Sequence, residues 1–230
     1  MIHKAGRISP APPRPRNPQD DPKKMEPKMI NRRNFLTTTG LGAGAFLMLP
    51  TRSRAETLTP EAVFHDPDQP VLGNPDGDIT IAEFFDYQCP FCKKDHPIVE
   101  SFIKRDGKIR LVMKDWPIFG PPSVRASQLV LGASTFGQYR TGFEALMATR
   151  GRLTDSEIDT LLTKAGIDVA RAEAAYKKEK PRWDGLLARN ASQASALGLQ
   201  GTPGFVIGNV IYSGLMDDAA LTKAVARARA

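Results

Sequence analysis

The apolar positions of the chain group into blocks whose spacing predicts an ordered series of elements. Ile79, Ile81, Ala82, Phe84 and Phe85 form an apolar run that reads as a buried strand. Beyond it, Ile98, Val99, Phe102 and Ile103 recur at helical spacing, predicting a helix that opens at residues 89–92 and ends near Lys104. Pro97 lies inside this helix and is expected to kink it, and Asp106-Gly107 stops it. Residues 108–113 alternate as a second strand, and this β-α-β order implies a parallel pair with a right-handed crossover. Residues 123–197 carry no strand signal. They read as helices at 123–136, 139–149, 155–165, 168–178 and 182–197, with Thr154 and Glu157 placed as a capping box. Two short apolar strands then flank Gly208-Asn209, a hairpin signal, and 217–230 reads as a final amphipathic helix. Residues 56–78 are polar and proline-rich, an arm with a short helix or extended piece at 60–64. The turn signal Asn74-Pro75-Asp76-Gly77 places the first core strand near Ile79. The pattern implies an α/β domain over 79–230, a mixed sheet flanked by helices, with a large helical insertion at about 123–197.

The chemistry converges on the end of the first strand. Cys89 and Cys92 are the only cysteines, three residues apart at a helix start, close enough to form a disulfide or share a metal. Pro90 suits the first helical turn. The free N–H groups and the dipole of the helix terminus stabilise a negative sulfur at Cys89, and the thiolate is the reactive form. Cys92, one turn in, suits a resolving thiol. A strand leading into Cys-x-x-Cys is the setting of a redox motif. A structural zinc site would need four ligands, and outside the leader only His65 and His96 could add to the two sulfurs. An inert disulfide would close a very short loop and restrain the unfolded chain little. His96 reads as a partly exposed helix residue rather than a base. Glu83 stands inside the apolar strand. Alternation alone points it to solvent; buried near the thiols, it could relay protons as Cys92 attacks.

Charge separates the chain into two parts. The formal net charge is +7, but residues 1–55 hold 11 basic and 3 acidic side chains, leaving 21 basic and 22 acidic in the remainder. The folded part therefore gives no argument for a nucleic-acid partner. Residues 1–28 contain seven prolines and almost no apolar face, and read as a disordered leader. Residues 29–55 read as a signal peptide. Arg32-Arg33 precedes Phe35-Leu36, a short apolar run spans 40–50, and Ser53 and Ala55 supply small residues for cleavage. The arginine pair resembles a twin-arginine export signal, with Asn31 and Thr37 departing from the usual pattern. Met25 and Met29 precede the signal, so the first 24 or 28 residues are a candidate start-site overrun. Export implies a periplasmic or other extracytoplasmic, oxidising setting.

With these pieces placed, the region from about Asp66 to Ala226 resembles the DsbA-like branch of the thioredoxin superfamily. The likeness rests on Glu83-Phe84-Phe85-Asp86-Tyr87-Gln88-Cys89-Pro90-Phe91-Cys92, the helical stretch, and Gly201-Thr202-Pro203-Gly204-Phe205-Val206-Ile207. It implies a thioredoxin fold, an exposed attacking Cys89 and a resolving Cys92. It further implies a cis-proline at Pro203 that faces the disulfide, with Thr202 tuning potential and substrate contact, and a buried acid at Glu83. The strong oxidants of the family carry His where this chain has Phe91, which predicts a less oxidising pair, with the helix terminus and Lys93 as the remaining candidates to stabilise the thiolate.

The resemblance implies an enzyme that introduces disulfides into unfolded or reduced exported proteins. It needs no bound cofactor and no metal, and is recycled by a membrane redox partner passing electrons to quinone. Residues 116–122, an apolar loop, and the surface near Pro203 are the expected contacts for these proteins. The alternatives are an isomerase or reductase of the same fold, and a copper-binding thioredoxin-fold module using Cys89 and Cys92, since soft thiolates favour Cu(I).

Overall fold

The computed structural model describes residues 58–230 and, upstream, the backbone of a two-residue strand, β1 (Lys28–Met29). The rest of the expected leader, with its arginine pair and expected cleavage site, lies outside the described residues. The sheet is mixed, in the order β1-β6-β5-β3-β4-β2. At its centre β3 (Ile79–Phe85) runs parallel to β4 (Ile109–Asp115) and antiparallel to β5 (Gly204–Ile207). The hairpin partner of β5 is β6 (Val210–Ser213), joined through Gly208-Asn209, with Gly208 at φ 60° as that tight turn requires.

A second strand, after β1, precedes the expected start of the core. Within the proline-rich arm, after α1 (Pro60–Phe64), β2 (Val71–Gly73) pairs antiparallel with β4 and forms an edge of the sheet. Three residues between Pro70 and Asn74 are too few to show a period, so pairing to β4 rather than local pattern defines this strand.

Alternation along β3 sorts the two layers. Ala82 and Phe84 face a core with Val63, Phe64, Val112, Ala194 and Val206. Ile81 and Phe85 face the other core, shared with α2 (Pro90–Asp106) and the helical insertion. Glu83 has the parity of Ile81 and Phe85, so it points beneath α2 rather than to solvent, and it is 2% exposed. Helix α2 runs through Pro97 and ends at Gly107, whose φ of 71° suits the left-handed cap.

The insertion comprises α3 (Pro121–Ser134), α4 (Tyr139–Met147), α5 (Asp155–Lys164), α6 (Val169–Lys178) and α7 (Lys180–Ala196). The capping box of Thr154 and Glu157 opens α5. Gly132 lets α3 approach α6 closely, since a Cβ there would stand 2.0 Å from the Ala172 carbonyl oxygen. From α4, Phe143 meets Phe85 edge-on at 5.2 Å and His96 at 5.0 Å, packing the insertion against the sheet and α2. Helix α8 (Asp218–Arg229), capped by Asp217, closes the domain. Among the described residues no helix is long and apolar enough to cross a membrane.

Candidate active site

Cys89 is the N-cap of α2, and its sulfur accepts the backbone N–H of Cys92 at 3.4 Å. Pro90 takes the first helical position. As a thiol, Cys89 donates to the Thr202 carbonyl at 3.2 Å. That contact joins the Cys-x-x-Cys to the Thr202–Pro203 peptide, which is cis. Residues 113 positions apart in sequence thus meet at one sulfur. The contact also explains a departure from expectation: Cys89 is buried, with 0% exposure, because its sulfur lies against this loop.

The two thiols differ sharply in acidity. Cys89 falls from 9.0 to about 6. The Cys92 thiol, donating to the Cys89 sulfur, contributes most. Burial opposes it, and the Thr202 hydroxyl and the N–H groups of Cys92 and Phe91 add to the stabilisation. The Thr202 hydroxyl is buried without a hydrogen-bond partner, so it is free to turn its proton to the thiolate. Cys92 is driven in the opposite direction, first by burial and then by its bond to Cys89, and it stays protonated. Both cysteines are free.

Beneath them, burial pushes Glu83 up to about 8, with the charges of Asp95 and Cys89 acting in the same sense. Its Oε1 has no hydrogen-bond partner. It is therefore a carboxylic acid at neutral pH, able to give or take a proton beside Cys92, whose own acidity it affects. Lys93 is mostly buried, and burial lowers its pKa. Its ammonium donates to Thr149 Oγ1 (2.8 Å) and the Gly151 carbonyl (2.6 Å), so its main contacts lie with the insertion rather than with the sulfur. His96 is half-buried against Phe143 and makes no contact with either thiol that would mark it as a base.

Three further residues shape the site and were not singled out by sequence. Asp86 accepts from Gln88 N–H (2.7 Å), Ser123 Oγ (2.7 Å), Ile118 N–H (2.6 Å) and Phe119 N–H (3.1 Å), folding the loop after β4 against the site. The Asp86-Tyr87-Gln88 spacing of an Asx turn was the available signal. Gln88 reads the backbone of Leu153 with both ends of its amide, at 2.9 and 2.7 Å. Asp95, one turn beyond Cys92, is 0% exposed, a placement no local pattern announces. Among the described residues, Phe91 (58%), between the two cysteines, and Ile118 (40%), in the loop bonded to Asp86, are the exposed large apolar side chains.

A family model described as Thioredoxin matches residues 65–227. A thioredoxin-like oxidoreductase from Silicibacter pomeroyi DSS-3 is 34% identical, with 75% of this chain and 98% of that one covered and a TM-score of 0.72. The thiol-disulfide exchange protein alpha-DsbA2 from Wolbachia pipientis is 25% identical over 73% of this chain and 90% of that one, with a TM-score of 0.68. A periplasmic thioredoxin-like protein from Salmonella enterica serovar Typhimurium is 27% identical over 73% and 94%, with a TM-score of 0.64. Curated relatives include a Na(+)/H(+) antiporter NhaA 1 of Mycobacterium sp. (strain KMS), 24% identical over 162 residues. The chain spans about a quarter of the length of that antiporter, 26%. Matched across most of its described length, and carrying its Cys-x-x-Cys at a helix start against a cis-proline loop, the chain belongs to the thioredoxin family as a DsbA-like thiol–disulfide oxidoreductase.

Proposed function

We propose that the protein donates disulfides to reduced or unfolded exported proteins outside the cytoplasm. The observation that carries this reading is the asymmetry of the pair: an acidic Cys89 beside a Cys92 held as a thiol. A stabilised Cys89 thiolate favours the reduced dithiol, and a pair that favours its reduced form takes electrons from its substrate.

In the forward reaction a substrate thiolate attacks Cys89 Sγ in the oxidised pair. The Cys89–Cys92 bond breaks, and Cys92 leaves as a thiolate that takes a proton from the neutral Glu83 carboxyl. A second substrate thiolate then attacks the substrate sulfur of the mixed disulfide, expelling Cys89 as a thiolate. The substrate gains one disulfide and gives up two electrons to the pair, and Glu83 recovers its proton from solvent. Phe91, exposed between the two cysteines, and Ile118, exposed in the loop bonded to Asp86, offer apolar contact to an unfolded chain. Recycling falls to a membrane protein that passes the electrons to quinone. The export-type leader and the likeness to a periplasmic thioredoxin-like protein support the extracytoplasmic location.

Equilibrating the purified protein with glutathione tests the direction. A donor gives a potential nearer about −120 mV than about −200 mV, despite Phe91 standing where the family's strong oxidants carry His. A potential nearer about −200 mV, or below it, overturns the donor reading in favour of a shuffling or reducing role.

A further inference from the structure

The strap between β6 and α8 carries two hydrogen bonds that lead from the cis-proline loop to the redox helix. Gly214 N–H donates to the Pro203 carbonyl at 2.8 Å. Two residues on, Met216 N–H points between the two oxygens of Asp95, at 3.3 Å from each. Met216 and Asp95 are both 0% exposed, so water does not replace this contact. Asp95 lies three residues beyond Cys92, on the same side of α2, and its charge is felt by Glu83 below and in turn feels Cys89.

We propose that Asp95 is a positioning residue that ties the reactive end of α2 to the Thr202–Pro203 loop through the strap at 214–216, and whose carboxylate, once ionised, repels the Cys89 thiolate. The inference rests on the exchange chemistry of the pair and is independent of its direction.

The groups facing Asp95 come from each neighbouring element: Lys94 on its own helix, Glu83 on β3, Asp217 at the start of α8, and Cys89. One cation stands against three acids or potential anions, and the carboxyl is buried. Burial accordingly pushes Asp95 up to about 7, with Asp217 and Cys89 adding to the rise and the Met216 N–H and Lys94 opposing it. The two charges are therefore linked. When the pair is reduced and Cys89 is a thiolate, Asp95 holds its proton more tightly. When the pair is a disulfide, no thiolate is present, Asp95 ionises more readily, and its bond to Met216 N–H becomes charge-assisted and stronger. The grip on the cis-proline loop then tightens in the oxidised form, the form that must receive substrate.

Two measurements test this. In the wild-type protein, carbon-13 carboxyl shifts followed against pH should give Asp95 a higher pKa in the reduced form than in the oxidised form. Asp95→Asn keeps an oxygen for Met216 N–H but no charge, so at pH 8, above both pKa values, it removes the repulsion on the thiolate. The equilibrium with glutathione at that pH should move about three- to tenfold toward the reduced dithiol, the equivalent of half to one pKa unit. An Asp95 pKa equal in the two redox forms overturns the proposal. So does a folded Asp95→Asn protein whose equilibrium with glutathione at pH 8 is unchanged. If the variant does not fold, the wild-type titration decides alone. A strongly reducing potential would sink the donor reading while leaving these outcomes as they stand.

Discussion

Phe91 shows how a side chain can sit beside a reactive sulfur and contribute only its backbone. Its N–H helps to hold the Cys89 thiolate, while its ring is 58% exposed. Replacing the ring with an imidazolium would put a positive charge at the helix terminus, where the dipole already favours an anion. Phe91→His should therefore make Cys89 about tenfold more acidic, read from thiolate absorbance against pH. An unchanged Cys89 pKa would show that residue 91 does not reach the sulfur. At this scale the sequence disclosed the pair itself, while the cis-proline partner was legible only through the family likeness, since the residues alone fit a trans bond equally. It did not disclose the environment of Glu83, because one residue's alternation is compatible with either face. Only the parity shared with Ile81 and Phe85, once those are known to lie under α2, buries the carboxyl. Asp95 was less legible still. Its burial depends on Met216, 121 positions away, and no helical spacing encodes that contact.

Elements with a strong period were readable along the chain: β3, α2, the five insertion helices and the final hairpin all fall within a few residues of their expected places. Two strands escaped: β1 has two residues and pairs with β6, and β2 has three and exists through β4. How the helices pack was not readable, and there Gly132 is decisive. An added Cβ would overlap the Ala172 carbonyl, part of the α6 backbone, which cannot rotate away as a side chain would. Alanine is intrinsically the better helix former by up to about 1 kcal/mol. Overpacking costs roughly 1–3 kcal/mol and should prevail. Gly132→Ala is thus expected to lower the urea midpoint with Cys89 acidity unaffected. A midpoint equal to or above the wild type would show that α3 and α6 do not approach this closely.

For the whole molecule, the buried carboxyls make stability depend on pH in an unusual sense. Glu83 is raised from 4.5 to about 8, Asp95 and Asp115 from 3.8 to about 7, in each case chiefly by burial. Such a group stays protonated in the folded state while the unfolded chain ionises. Its contribution is fully present below the unfolded value, near pH 4, and is lost as pH rises through the folded value. Reduced Cys89 acts oppositely. Its pKa is lowered, so its contribution is present above 9 and is lost as pH falls through about 6. Glu83→Gln removes the first effect at one site. In urea unfolding of the reduced protein, the variant should match the wild type near pH 4.5. It should become progressively more stable than the wild type up to about pH 8, by at most roughly 5 kcal/mol. A difference that does not change with pH would mean that Glu83 is ionised in the folded protein.

The residues bracketing the redox pair have one more consequence. Gln88, immediately before Cys89, grips the backbone of Leu153, and Lys93, immediately after Cys92, grips Thr149 and Gly151. The six residues from 88 to 93 are thereby riveted at both ends to a single turn between α4 and α5. The insertion is the frame in which the sulfur-bearing segment is mounted, and a displacement of that turn would be transmitted to the spacing of the two sulfurs. The electron affinity of the pair is to that extent a property of a loop some 60 residues downstream.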